Sequence, residues 1–116
     1  MLSACLFLML ALPAMAGKAD VTDVSVRSLG AGKWLFDVTV RHDDTGWEHY
    51  ADRWEVVGPD GTILGTRLLA HPHVDEQPFT RSGEIAIPET VSEVTVRAND
   101  SVHGLGGTEL KATLPR

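Results

Sequence analysis

The chain is poor in sulfur. Its 116 residues include one cysteine, Cys5, and three methionines, and all four fall within the first sixteen positions. Those positions, "MLSACLFLMLALPAMA", also lack any charged residue and end in Ala14-Met15-Ala16. Small-x-small is the pattern a signal peptidase recognises, so the sequence predicts a leader over 1–16 and a mature domain over 17–116. Cleavage there removes Cys5, which excludes a disulfide framework, a thiolate metal site and a cysteine nucleophile from the mature domain. The apolar run is shorter than the roughly 20 residues a membrane helix needs, so no stable span is expected after cleavage. No Lys or Arg precedes Lys18, a departure from the positively charged opening of such leaders that leaves the true translation start open. Leu2-Ser3-Ala4-Cys5 resembles the lipobox of bacterial lipoproteins. Cys5 is followed by Leu6-Phe7-Leu8 rather than polar residues, which argues against acylation.

Basic residues are also scarce. Ten Lys and Arg stand against sixteen Asp and Glu, a formal charge of −6, and all of these charges lie beyond the leader. An acidic domain has no basic face for nucleic acid or anionic lipid, so neither is an expected partner. The expected location is periplasmic or secreted, with a divalent metal or a periplasmic protein as the expected partner.

Helical periodicity, internal repeats and low-complexity tracts are absent too. What is present is a series of short runs in which apolar and polar residues alternate, punctuated by turn residues every eight to twelve positions. In "WLFDVTVRH", Trp34, Phe36, Val38 and Val40 share one face and Asp37, Thr39 and Arg41 the other. Val24 and Val26, Trp54 and Val56, and Val94, Val96 and Ala98 repeat the pattern. "LGAGK" (29–33) and "GPDG" (58–61) are turn signals, and Gly83 is expected to interrupt the strand in "FTRSGEIAIP". About seven strands in about 100 residues, with a tryptophan in the third, predict one all-β domain: an immunoglobulin- or fibronectin-III-like sandwich.

Consecutive connections in such a traverse alternate between the two ends of the sandwich. The connections at 42–51, 70–79 and 100–107 therefore belong to one end, and all five histidines lie in or beside them: His42, His49, His71, His73 and His103. The same connections hold Asp43, Asp44, Glu48, Asp52, Asp75, Glu76 and Asp100. Neutral imidazoles with carboxylates suit Zn(II) or Cu(II). His71-Pro72-His73 places two imidazoles on one side of an extended segment stiffened by proline, and His71, His73 and His103 lead the list of candidate ligands, followed by His49 and His42. Each also has a plainer reading, as a loop imidazole hydrogen-bonded to backbone. Trp47, Tyr50 and Phe79 are candidate anchors for a protein or peptide partner, or alternatively residues that close the core. Asp100, Ser101 and His103 are too close in sequence to form a catalytic triad, and no other catalytic constellation is recognisable, so a non-enzymatic role is expected.

The segments "RHDDTGWEHYADRWEVVGPDGTILGTR", "HPHVDEQPFTRS" and "VTVRANDSVHGLGG" resemble those of a family of small exported bacterial immunoglobulin-like proteins of unknown function. The resemblance covers most of the mature chain and implies a compact sandwich with these loops as its characteristic surface. Metal-binding sandwiches of known activity match less well. Blue-copper proteins and superoxide reductases use a cysteine ligand. Periplasmic copper-resistance carriers use a histidine at the mature N-terminus, where this chain has Gly17, and copper-zinc superoxide dismutases share only His-x-His. The sequence thus yields two expectations: a binding module for Cu(II) or Zn(II) at its histidine- and acid-rich end, or a metal-free accessory domain that binds protein through aromatic loop residues.

Overall fold

A computed structural model describes residues 17–116, so the leader expected over 1–16, and Cys5 within it, lie outside the described residues. Seven strands follow one another: β1 (Asp20–Gly30), β2 (Lys33–Arg41), β3 (Ala51–Val57), β4 (Ile63–Leu68), β5 (Phe79–Ala86), β6 (Glu93–Asp100) and β7 (Leu110–Thr113). They form two antiparallel sheets, β1-β2-β5 and β4-β3-β6-β7. The all-β sandwich predicted from alternation is therefore the fold observed.

The alternation explains the layering. Along β2, Trp34, Phe36, Val38 and Val40 are buried and the residues between them are not, as a side-chain period of two requires. Trp54 and Val56 of β3 and Val94, Val96 and Ala98 of β6 meet them from the other sheet, with the Trp54 indole 6.5 Å from the Phe36 ring. Full burial of each large apolar side chain contributes roughly 1.5–3 kcal/mol. Val24 and Val26 are only partly buried, because β1 is an edge strand.

The break expected at Gly83 does not occur. β5 runs through it, and Gly83 pairs with Phe36 of β2. A Cβ at this position would lie 2.8 Å from Cη2 of Trp54. Glycine is required there by the indole of the opposite sheet, not by a turn.

The β1–β2 and β3–β4 turns cap one end. At the other end the connections β2–β3, β4–β5 and β6–β7 meet the start of the chain. Val21 N–H donates to the Thr108 carbonyl at 2.9 Å, Thr108 N–H to Asp20 Oδ1 at 2.7 Å, and Lys18 Nζ to the carbonyls of His103 and Leu105 at 3.2 and 3.1 Å. Gly107 makes this approach feasible, since a Cβ there would lie 1.9 Å from the Ala19 carbonyl oxygen. Residues 17–19 are thereby held against the β6–β7 connection.

Candidate metal centre

The inward alternation does not stop where the apolar residues end. Beyond the end of β2 it continues from Val40 to His42 and Asp44, and on β6 past Ala98 to Asp100. All three are buried, at 3%, 6% and 1% exposure. Imidazole and carboxylate groups in such surroundings are costly unless each polar atom finds a partner.

Asp44 is fully satisfied. Its Oδ1 lies 2.6 Å from His42 Nδ1 and accepts the Ala51 N–H at 3.0 Å, and its Oδ2 accepts the His73 N–H at 2.7 Å. An ionised carboxylate only accepts, so His42 carries its proton on Nδ1 and, in the neutral ring, presents a bare lone pair at Nε2. That Nε2 lies 3.0 Å from Asp100 Oδ1 and 3.0 Å from the Gly17 carbonyl oxygen. A tight turn, in which Thr45 N–H donates to the His49 carbonyl and His49 N–H to the Gly46 carbonyl, brings His49 Nε2 to 2.8 Å from the same Asp100 Oδ1. The other oxygen of Asp100, Oδ2, is engaged by His103, through its backbone N–H at 2.7 Å and its Nδ1 at 2.6 Å. The His42 and His103 rings stand edge-on to the His49 ring at 4.9 and 5.1 Å.

One contact in this cluster is close without being a hydrogen bond. His49 Nε2 and Asp100 Oδ1 are buried and 2.8 Å apart, yet neither has a partner in hydrogen-bonding geometry. Crowding of donor atoms that point past one another is the arrangement of ligands around a shared cation. His42 Nε2, His49 Nε2 and Asp100 Oδ1 all lie within 4.8 Å of one another and can hold a metal ion. The separations of 2.8 and 3.0 Å are near the about 3.3 Å between neighbouring donors of a tetrahedral ion bound at about 2.0 Å. Two imidazole nitrogens and a carboxylate oxygen form a set matched to Zn(II) or Cu(II).

Electrostatics reinforce the geometry. Burial alone would push the His42 pKa down, but the hydrogen bond to Asp44 and the charges of Asp100 and Asp44 outweigh it and raise it above 6.5. Burial would push the Asp44 carboxyl up, but hydrogen bonds from His42 and from the His73 and Ala51 N–H groups hold it below the usual carboxylate range.

The remaining sequence candidates lie apart from this cluster. The His71 and His73 rings are 4.7 Å from each other. His73 is stacked on Phe79 at 3.8 Å, and its Nε2 faces Arg81 Nη2 at 2.8 Å, so that nitrogen accepts from the guanidinium. Burial, then the positive charges of Arg81 and His71, push the His73 pKa down. His71 is exposed, with Nδ1 at 3.0 Å from the Pro72 carbonyl. This loop reaches the cluster through main chain and an amide: His73 N–H binds Asp44, and Gln77 accepts the His42 N–H at 2.9 Å while donating to the His73 carbonyl at 3.0 Å. Trp47 is 67% exposed, with Tyr50 edge-on at 5.6 Å. Phe79 does not join them on the surface. It is 1% exposed, packed inside the sandwich because it begins the inward face of β5.

Asp44 and Asp100 were legible in the sequence as loop acids, but nothing singled them out from the other acids. The available signal was the period of two, which carries Trp34 to His42 and Val94 to Asp100 on inward-facing positions.

No family model matches the chain, and no solved structure does. Over 90 residues the chain is 46% identical to a protein of Halomicrobium mukohataei named "Putative lipoprotein", a match covering 78% of this chain. The chain spans 44% of that relative's length. Among the described residues, no helix is long and apolar enough to cross a membrane.

Proposed function

We propose that this is an exported binding domain that holds one divalent transition metal, Cu(II) or Zn(II), between His42 Nε2, His49 Nε2 and Asp100 Oδ1. The observation that carries the reading is the buried Asp100 Oδ1, which is approached by two imidazole nitrogens and lacks a hydrogen bond. Charge supports it. Among the described residues no Lys or Arg side chain pairs with Asp44 or Asp100, and their partners are imidazoles and backbone N–H groups. Two buried carboxylates are then neutralised either by protons on the imidazoles or by a dication. Asp44 and His103 are positioning residues: Asp44 sets the His42 tautomer, and His103 fixes the rotation of the Asp100 carboxylate. An export leader over 1–16 and the name of the relative, which spans more than this chain, support placement in the cell envelope or beyond it.

Titration of the exported protein with Cu(II) and with Zn(II), by calorimetry and by electron paramagnetic resonance for copper, tests this. One ion per chain is expected. His49→Ala and Asp100→Asn should each weaken binding by at least about 10–100-fold, whereas His71→Ala with His73→Ala should leave it near wild type. Absence of binding, or binding indifferent to His49 and Asp100, would sink the proposal.

The exposure of Trp47 beside Tyr50 favours a second reading, recognition of a protein or peptide. Capture of a partner that survives chelator and disappears in Trp47→Ala would support it, and capture insensitive to that substitution would remove it.

A further inference from the structure

The Gly17 carbonyl oxygen lies 3.0 Å from His42 Nε2, beside the donor atoms of the cluster. With one proton committed to Asp44 through Nδ1, this gap is filled either by a second proton on Nε2 or by a cation. A cation held by His42 Nε2 would then have the Gly17 main chain as well as the imidazole within reach. The α-nitrogen of Gly17 is separated from its own carbonyl oxygen by two carbons, so the two atoms can close a five-membered chelate on one ion.

We propose that the α-amino group of Gly17, freed by cleavage after Ala16, is a further ligand to the ion held by His42, His49 and Asp100. The inference rests on the metal-binding reading above. Within the precursor this nitrogen is an amide joined to Ala16, with no lone pair available to a metal at neutral pH. After cleavage it is an amine with a pKa of about 7.7–8.0, low enough to lose its proton to a metal near neutrality. Removal of the leader thus completes the site, and the unprocessed chain binds weakly.

Among the described residues, those that follow Gly17 are tied to the fold. Ala19 is fully buried, Lys18 spans to the carbonyls of His103 and Leu105, and Gly107 lacks the Cβ that would displace the Ala19 carbonyl. The connection that anchors the chain start is therefore the one that carries His103, the residue fixing Asp100. Gly17 is exposed, so the amine has room to turn toward the ion.

The test expresses the full chain in an exporting host and purifies the processed protein, with intact mass confirming a start at Gly17. It is compared with a variant carrying one alanine inserted between Ala16 and Gly17, and with processed protein acetylated at its α-amine near about pH 6.5, where lysines stay protonated. Both changes should weaken Cu(II) binding at least about tenfold and remove one nitrogen from the superhyperfine pattern of the copper spectrum. Unchanged affinity and spectrum after acetylation, with His49→Ala still weakening binding, would overturn the amine as ligand and leave the metal site standing. A mature start other than Gly17 would also overturn it. Failure of every form to bind copper or zinc would overturn both readings.

Discussion

At His42 two carboxylates act on the two nitrogens of one ring. Asp44 fixes the proton on Nδ1, and Asp100 lies opposite Nε2, where either a second proton or a metal satisfies it. Because the carboxylates raise the pKa of this ring above 6.5, the protonated form persists to higher pH than in an unperturbed histidine, and protons compete with the ion for Nε2. Metal affinity should therefore fall as pH falls, with the loss setting in at a higher pH than for an unperturbed histidine. Zn(II) titrations across about pH 5.5–8 check this. In Asp44→Asn the ring loses its charged partner and its pKa drops, so the pH of half-loss should move down. Affinity at the alkaline end should still fall by about 10–100-fold, because the tautomer is no longer held. His73 shows the opposite environment. Burial, then the charge of Arg81, lowers its pKa; the guanidinium repels a metal ion as it does a proton, and it already occupies the Nε2 lone pair.

Among the elements, β2, β5 and β6 illustrate how far alternation alone can be read. It placed Trp34 to Val40 and Val94 to Ala98 on inner faces, because a strand offers only two faces and one must be dry. It did not explain Gly83, whose neighbour Trp54 belongs to another strand in the other sheet. Gly83→Ala puts a methyl group 2.8 Å from a fully buried indole, which should destabilise the domain by about 1–3 kcal/mol through overpacking. Urea unfolding of the metal-free protein measures it, and a midpoint equal to wild type would show that the indole can shift. Phe79 belongs to the same lesson. An aromatic next to a loop is equally consistent with surface and core until the facing sheet is known, and here the facing sheet buries it.

For the molecule as a whole, the centre ties the β2–β3 connection, which supplies His42 and His49, to the end of β6, which supplies Asp100 from far along the chain. An ion bound there binds the folded chain and not the unfolded one. At a free metal concentration about 100 times Kd it should add about 2.7 kcal/mol of stability, which for a domain of about 100 residues raises Tm by roughly 10–20 °C. Thermal unfolding with Zn(II), then with excess chelator, checks the rise and its reversal; a Tm indifferent to both would argue against a structural coupling. The sequence by itself determined the strand pattern, the acidic balance, the absence of cysteine from residues 17–116 and the gathering of the histidines into three connections, because each follows from local periodicity or from counting. Only the tertiary structure decided that His42 and His49 meet Asp100 while His71 and His73 face Phe79 and Arg81. Convergence of side chains depends on which strands face each other across the core and on turn geometry at its end, and neither is encoded in the spacing of residues along one strand.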